Sequence, residues 1–180
     1  MIELTYDKAK AYCARIAGKG SVLGLESIEN LMQELSNVQE KLSVIHIAGT
    51  NGKGSVGAYL AAVLMEAGYV VGRYTSPAVF DPLEVWQVDG CNITQEEYAA
   101  LVSQVKCACD RMVEKGMEHP TIFEVETAMA FLYFYQKKCD YVLLEVGMGG
   151  RTDATNVIRK PVCSVITSVS MDHMQFLGNT

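Results

Sequence analysis

Apolar positions follow two patterns that alternate along the chain. In residues 5–17, Tyr6, Ala9, Cys13 and Ile16 recur at helical spacing and so share one face. Other segments are short, continuous apolar runs, which are typical of strands covered on both faces. The patterns predict helices over 5–17, 27–35, 55–67, 94–115 and 121–137, strands over 43–48, 69–74, 140–146 and 162–168, and a small alternating strand over 84–88.

The order of these elements predicts the fold class. Strands alternate with helices, which favours an α/β fold with a parallel, doubly wound sheet flanked by helices. Two local signals support the helix ends. Thr94 with Glu97 three residues later forms a capping box, and Gly68 stands where a helix over 55–67 would end.

A glycine-rich segment separates the strand over 43–48 from the helix that follows it. We call it the glycine loop, and it reads Gly49-Thr50-Asn51-Gly52-Lys53-Gly54-Ser55. Glycines let backbone N–H groups surround a phosphate, and the helix N-terminus adds positive potential. Lys53 supplies a cation for the β- and γ-phosphates, and Ser55 a hydroxyl near the metal or the phosphates. The segment therefore predicts a P-loop and ATP binding.

The glycine loop departs from the general P-loop pattern in two places. Counting back from Lys53, the first glycine of that pattern falls on Ile47, and its Ser or Thr after the lysine falls on Gly54. The competing interpretation is a flexible turn with one solvated lysine. The position between a strand and a helix favours phosphate binding.

Three polar residues follow predicted strand ends at one edge of the sheet. Glu145 ends an apolar strand, Ser76 follows the strand over 69–74, and His173 follows the last strand. Ligands of open α/β sheets bind at the carboxyl ends of strands, and Mg²⁺ prefers oxygen ligands, so together these residues predict a metal shell. Singly, each has an ordinary explanation: a solvated strand end, a Ser-Pro turn and a structural histidine. His46, before the glycine loop, is interpreted as structural.

Composition narrows the classes of partner. The chain has 180 residues, is 49% hydrophobic and carries a net charge of −6, which fits one core of ordinary size and argues against a nucleic-acid binder. No apolar run reaches the ~18 residues of a membrane span. Six cysteines without a CxxC pair, and a first segment without an apolar run, favour a reducing cytoplasm.

Four motifs in a fixed order resemble a known family. They are the glycine loop, residues 74–77 (Tyr-Thr-Ser-Pro), residues 145–156 (Glu-Val-Gly-Met-Gly-Gly-Arg-Thr-Asp-Ala-Thr-Asn), and Asp172-His173 followed by Leu177-Gly178. Together they look like the N-terminal ATPase domain of folylpolyglutamate synthase and of the bifunctional dihydrofolate synthase. This family belongs to the Mur ligase superfamily.

The resemblance implies an ATP-dependent amide ligase with a Mur ligase-like central ATPase domain. ATP would phosphorylate the terminal carboxylate of a folate, or that of dihydropteroate, and the amine of L-glutamate would attack the acyl phosphate. The resemblance also implies that the glycine loop holds ATP. Ser76, Glu145 and His173 would coordinate Mg²⁺, and Lys53, Glu145 and His173 would carry the catalysis.

The pterin-side contacts implied by the resemblance fall in three segments. These are Gly24, Leu25, Glu26 and Ser27; Thr121, Ile122, Phe123 and Glu124; and Thr152, Asp153 and Ala154. Phe123 either stacks on a flat heterocycle or packs into the core, and the sequence leaves both interpretations open.

The chain also departs from the family pattern. Ala78 stands where His is common, Val85 follows Glu84 where Arg is common, and Thr152 stands where Leu is common. A lysine that bridges to a second metal would fall just past Thr180. We therefore expect residues 1–180 to be the N-terminal part of the ATP-binding ligase domain, an incomplete one that lacks the C-terminal glutamate ligase domain. We expect this chain alone to be inactive, and the protein to be a monomer.

Two alternatives stay open. One is another Mur-type amide ligase, against which Gly54 argues because Mur ligases usually place Thr after the lysine. The other is a truncated ATP-binding module without ligase activity.

Overall fold

The computed structural model describes residues 3–18 and 24–178. Its helices are α1 (Tyr6–Ala17), α2 (Glu26–Glu34), α3 (Lys53–Glu66), α4 (Gln95–Glu114), α5 (Ile122–Gln136) and α6 (Met174–Leu177). Its strands are β1 (Val44–Ala48), β2 (Val71–Tyr74), β3 (Trp86–Val88), β4 (Cys91–Asn92), β5 (Tyr141–Glu145) and β6 (Cys163–Ile166). The predicted helices and strands are confirmed, each end within two residues. The short elements β4 and α6 were not predicted.

The sheet is mostly parallel, which confirms the predicted α/β fold with a parallel sheet flanked by helices, and it has an antiparallel edge that was not predicted. Its strand order is β4-β3-β2-β5-β1-β6. The last four strands in this order run parallel, whereas β3 and β4 pair antiparallel at one edge. The chain between β2 and β3 carries only a 3-10 turn, Pro82–Val85. Because a parallel return needs a crossover of a dozen or more residues, β3 can only come back antiparallel.

Helices cover both faces of the sheet, as the doubly wound architecture requires. Helix α3 packs alone on one face, where Ala61 meets Ile47, Val71 and Leu143. The opposite face is covered by α5 together with α1, α2 and α4, in one large apolar cluster that includes Phe131. Side chains alternate along each strand, so neighbouring strand residues enter different layers.

Helix ends follow their capping residues. Thr94 Oγ1 accepts from the Glu97 N–H at 3.2 Å, and the Glu97 carboxylate accepts from the Thr94 N–H at 3.0 Å, which confirms the predicted capping box. Helix α3 begins at Lys53, two residues earlier than predicted, because Gly52 with φ of 86° serves as its N-cap. Lys53 and Gly54 therefore belong to the first turn of the helix rather than to the loop before it.

None of the helices in the described ranges is long and apolar enough to cross a membrane.

Helix α5 carries Glu126, whose side chain is half-buried. Burial raises the pKa of Glu126 to about 7 from the ordinary 4.5. The backbone carbonyl of the same residue accepts a hydrogen bond from the Trp86 indole at 3.2 Å. An ionised Glu126 therefore costs stability at neutral pH.

Replacing this carboxyl with an amide of the same shape should stabilise the protein in a pH-dependent way. Because the folded-state pKa of Glu126 is raised, its unfavourable contribution is absent below about 4.5, grows between 4.5 and about 7, and is complete above 7. We expect Glu126→Gln to leave stability nearly unchanged at about pH 4.5 and to increase it by up to about 3 kcal/mol at about pH 8.

Urea denaturation at several pH values measures this difference. Glu114→Gln, at the exposed end of α4, is the matched control and should show no pH-dependent gain. A stability difference for Glu126→Gln that stays constant across this pH range would contradict the burial of an ionisable carboxyl here.

Candidate functional site at the carboxyl edge of the sheet

The glycine loop is anchored to the segment that follows β6. The Thr50 N–H donates to the Ser168 carbonyl at 2.7 Å, and the Thr50 hydroxyl donates to the Ser170 carbonyl at 3.0 Å. The Thr167 hydroxyl donates to the Asn51 carbonyl at 2.7 Å. These bonds fix the loop at the carboxyl end of β1, where parallel sheets bind ligands.

Two glycines in the loop adopt conformations that side chains disfavour. Gly49 has φ of 134° and Gly52 has φ of 86°. A Cβ at Gly49 would also lie 2.0 Å from Thr167 Oγ1 and 3.1 Å from the Ser168 carbonyl oxygen. The loop conformation therefore depends on glycine at position 49.

Lys53 points back into the loop from the first turn of α3. Its Nζ donates to the Gly49 carbonyl at 2.9 Å and to the Thr50 carbonyl at 3.3 Å. The same Nζ lies 4.0 Å from Glu145 Oε1, too far for a hydrogen bond but within ion-pair range. The ammonium group of Lys53 thus lies between the glycine loop and the end of β5. Ser55, also in the first turn of α3, is exposed.

Glu145 is a buried carboxylate at the end of an apolar strand. Its residue is 9% exposed. Burial raises the pKa of Glu145, and the nearby positive charges of Lys53 and Arg73 oppose that rise. A Cβ on Gly54 would lie 3.6 Å from Glu145 Oε2, so the carboxylate faces the N-terminus of α3 at close range. Positive potential from that terminus also favours the ionised form.

The three predicted metal ligands lie in two neighbouring cavities. Ser76 and Glu145 line a cavity of about 430 Å³, which we call the outer cavity. His173 lines a cavity of about 270 Å³ together with Lys53 and Gly49, which we call the loop cavity. Over the described part of the chain, no cluster of three His, Cys, Asp or Glu side chains could hold a metal.

Ser76 and Glu145 alone fit a hard cation that keeps other oxygen ligands. A hydroxyl and a carboxylate are the donors that Mg²⁺ prefers, and its remaining positions are usually filled by phosphate oxygens and water. His173 adopts φ of 47° and its ring Nε2 lies 3.9 Å from Asp172 Oδ2. Its role as a third ligand stays a prediction.

The structure brings the three predicted pterin-side segments together. The Gly24 N–H donates to the Thr152 carbonyl at 3.4 Å. The Ser27 hydroxyl donates to Glu124 Oε2 at 3.1 Å. Gly24, Leu25, Glu26, Ser27 and Glu124 line a third cavity, of about 530 Å³. Their contact with a ligand stays a prediction.

Several residues that are predicted to contact the ligand also have structural roles that were not predicted from the sequence. Glu124 accepts from the Thr121 N–H at 2.6 Å and from its hydroxyl at 2.9 Å, so the pair forms a capping box at the start of α5. The Thr-x-x-Glu spacing could have revealed it.

Phe123 is half-buried and packs against the core. A Cβ added to Gly147 would lie only 2.5 Å from its ring. Core packing is therefore the interpretation that the structure supports for Phe123. Ile122 begins α5 and also packs against the core.

Asp153 organises the glycine-rich turn after β5. Its Oδ2 accepts from the Met148 N–H at 2.7 Å, and its Oδ1 accepts from the Thr155 hydroxyl at 2.5 Å. Thr155 in turn pairs with His46 Nε2 at 2.9 Å. This chain of bonds confirms that His46 is structural, and burial lowers its pKa. Ala154 lies buried in the following 3-10 turn.

The chain is similar in sequence and in structure to known proteins. Residues 47–180 match the model of the Mur ligase middle domain. The chain is 46% identical over 158 residues to the dihydrofolate synthase/folylpolyglutamate synthase of Bacillus subtilis, a match that spans 87% of this chain and 36% of that protein.

Solved structures show the same fold. An FPGS–AMPPCP–folate complex superposes with a TM-score of 0.91 at 36% identity, over 98% of this chain and 43% of that one. E. coli FolC in complex with DHPP and ADP gives a TM-score of 0.88 at 34% identity, over 98% of this chain and 41% of that one. The chain thus spans about a third of the length of the curated relative it matches.

The glycine loop offers a matched pair of substitutions. At Gly49 an added Cβ meets Thr167 and the backbone adopts a positive φ, whereas at Gly54 the added Cβ makes only an ordinary contact in the first turn of a helix. We expect Gly49→Ala to lower the free energy of unfolding by at least about 1–2 kcal/mol. Gly54→Ala should leave it unchanged or raise it by about 0.5–1 kcal/mol.

Chemical denaturation of both variants beside the unsubstituted protein checks this expectation. Equal stability of the two variants would show that the loop is not held in the conformation described.

Proposed function

The chain belongs to the Mur ligase family, whose middle domain its residues 47–180 match, and from this premise we propose that it forms the ATP-binding part of a ligase that joins L-glutamate to a folate or to dihydropteroate. One observation carries the proposal. Lys53 and the buried Glu145 meet at the start of α3, on the boundary between the loop cavity and the outer cavity. A phosphoryl donor on one side and a carboxylate acceptor on the other would meet there.

The proposed reaction has two balanced steps. The γ-phosphoryl group passes from ATP to a carboxylate oxygen of the pteridine substrate, and ADP leaves. The amine of L-glutamate then attacks the acyl carbon and loses a proton to solvent, the carbon–oxygen bond to phosphate breaks, and inorganic phosphate leaves. Two anions must approach in the first step, so the main task of the site is to offset negative charge. Lys53, in the first turn of α3, and the N-terminus of that helix would do so.

A bound Mg²⁺ would add charge neutralisation between the phosphates and the carboxylate. Ser76 and Glu145 would hold it, because their oxygens share the outer cavity. His173 is proposed as a further ligand from the loop side.

Relatives support the identity of the substrates. One similar structure is described as a complex with AMPPCP and folate, and another as a complex with DHPP and ADP. In this chain the loop cavity would take ATP. The third cavity, lined by Gly24–Ser27 and Glu124, would take the pterin side of the substrate. Further contacts are proposed for Thr121, Ile122, Phe123, Thr152, Asp153 and Ala154.

The proposal has three further features. Residues 1–180 are proposed as the N-terminal part of the ATP-binding domain, since the matched relative is far longer than the chain. Each of the six cysteines is a free thiol, which fits a reducing cytoplasm. A monomer is proposed as the assembly state.

Ligase activity requires that ADP release depend on both the folate and glutamate. With the natural gene product, we expect ADP to form when ATP, Mg²⁺, a reduced folate and L-glutamate are all present. Lys53→Ala should reduce the rate at least about 100-fold, because it removes a cation aimed at the transferring group. Lys160→Ala, an exposed lysine away from the site, is the matched control and should retain the full rate.

The same assay separates the competing functions. ADP release that folate and glutamate do not change would contradict the ligase proposal. If a non-hydrolysable ATP analogue still binds in that case, and Lys53→Ala abolishes its binding, the chain is a nucleotide-binding module. Activity with a peptidoglycan precursor in place of folate would indicate another Mur-type ligase.

A further inference from the structure

Arg73 is a positively charged residue of the site that has no role in the reaction proposed above. It lies on β2 between Gly72 and Tyr74, whose side of the strand faces the α5 layer, where Tyr74 is fully buried. Strand alternation therefore directs Arg73 to the other face, the one that α3 covers and that Val71 shares. Arg73 pairs in register with Leu143, two residues before Glu145 on the same face of β5.

The guanidinium of Arg73 is incompletely satisfied. Its Nε–H is buried and has no hydrogen-bond partner among the residues that the structure describes. None of the salt bridges within 4.0 Å in the described part of the chain involves Arg73. Leaving a buried donor unpaired costs about 1–3 kcal/mol, and more for a charged group. A fold that tolerates this cost at a cavity wall is suited to an anionic ligand.

The two acids that Arg73 influences through space, Glu84 and Glu145, have other partners. Glu84 accepts from the backbone N–H groups of Val79, Phe80 and Asp81, the last two at 3.1 and 3.4 Å. These bonds, first that of Val79, lower the pKa of Glu84, and Arg73 adds a smaller effect through space. Glu145 faces Lys53 and the start of α3. Arg73 therefore influences both carboxylates without forming an ion pair with either.

Arg73 lines the outer cavity, whereas the residues proposed to bind phosphate line the loop cavity. Arg73 lines this cavity with Ser76, Glu145 and Gly54, and the exposed ring of Phe80 lies at its rim. The loop cavity, on the other side of Lys53, is lined by Gly49 and Thr50 instead. An anion held by Arg73 is thus separate from phosphates held by the glycine loop, yet borders them at Gly54.

We propose that Arg73 binds the carboxylate of the pteridine substrate that receives the phosphoryl group. The inference rests on the proposed ligase function and names the residue that orients its acceptor. A planar guanidinium can present two N–H groups to one carboxylate, which fixes the direction of its oxygens as well as its position. Ser76 and Glu145, the proposed metal ligands, line the same cavity as that carboxylate would.

Steady-state kinetics of Arg73 variants in the natural gene product test the proposal. Arg73→Gln should raise the KM for the folate substrate about 10- to 100-fold, because a charge-assisted hydrogen bond is lost. The KM for ATP and the affinity for a non-hydrolysable ATP analogue should stay within about twofold, which also shows that the variant is folded. Arg73→Lys should recover part of the folate affinity, since it restores charge without the bidentate geometry.

Arg159→Gln is the matched control. Its side chain is 79% exposed and lies near Glu40, away from the outer cavity, so folate KM should not change.

The other possible outcomes contradict either the assignment of Arg73 or the ligase proposal. If the unsubstituted protein uses folate and Arg73→Gln has the same folate KM, the assignment of Arg73 is wrong and the ligase proposal stands. A loss of ATP-analogue affinity in a folded Arg73→Gln variant would instead assign Arg73 to the phosphates. An unsubstituted protein that neither binds nor uses a folate overturns the ligase proposal and the Arg73 assignment with it.

Discussion

A carboxylate buried at the end of an apolar strand must have positive charge close to it, and the candidate site is arranged around this requirement. Glu145 is 9% exposed, and burial alone would favour its neutral form. Lys53 at 4.0 Å, the N-terminus of α3 and Arg73 oppose that tendency. The same positive groups would bring a phosphate and a carboxylate together. The ionised form of Glu145 and the proposed chemistry therefore depend on one set of charges.

The parallel sheet supplies the geometry that this arrangement needs. The ends of β1, β2 and β5 lie side by side, which brings the glycine loop, Arg73 and Glu145 to one edge. Hydrogen bonds fix the loops at that edge. The Thr50 N–H donates to the segment after β6, and Asp153 accepts from the backbone of the turn after β5. Two glycines accept backbone conformations that other residues would resist.

Much of the fold could be predicted from the sequence because apolar periodicity and capping signals are local. The antiparallel edge could not, since it follows from the absence of a crossover helix before β3, a fact about connection length that the strand pattern over 84–88 does not contain. In the site, Glu145 stood out as a charge ending an apolar strand. Arg73 did not, because a lone arginine on a strand is ordinary until the topology shows which residues share its face. Glu124 was interpreted as a ligand contact although its local role is to cap α5.

The central claim is that a substrate carboxylate accepts a phosphoryl group at this edge before glutamate attacks it. Its most direct test is to label both carboxylate oxygens of the folate substrate with a heavy isotope and to analyse the phosphate released with the natural gene product, ATP and L-glutamate. An acyl phosphate requires that one labelled oxygen leave with each phosphate, because the amine breaks the carbon–oxygen bond. Phosphate that carries no label while the amide product forms would contradict the proposed mechanism.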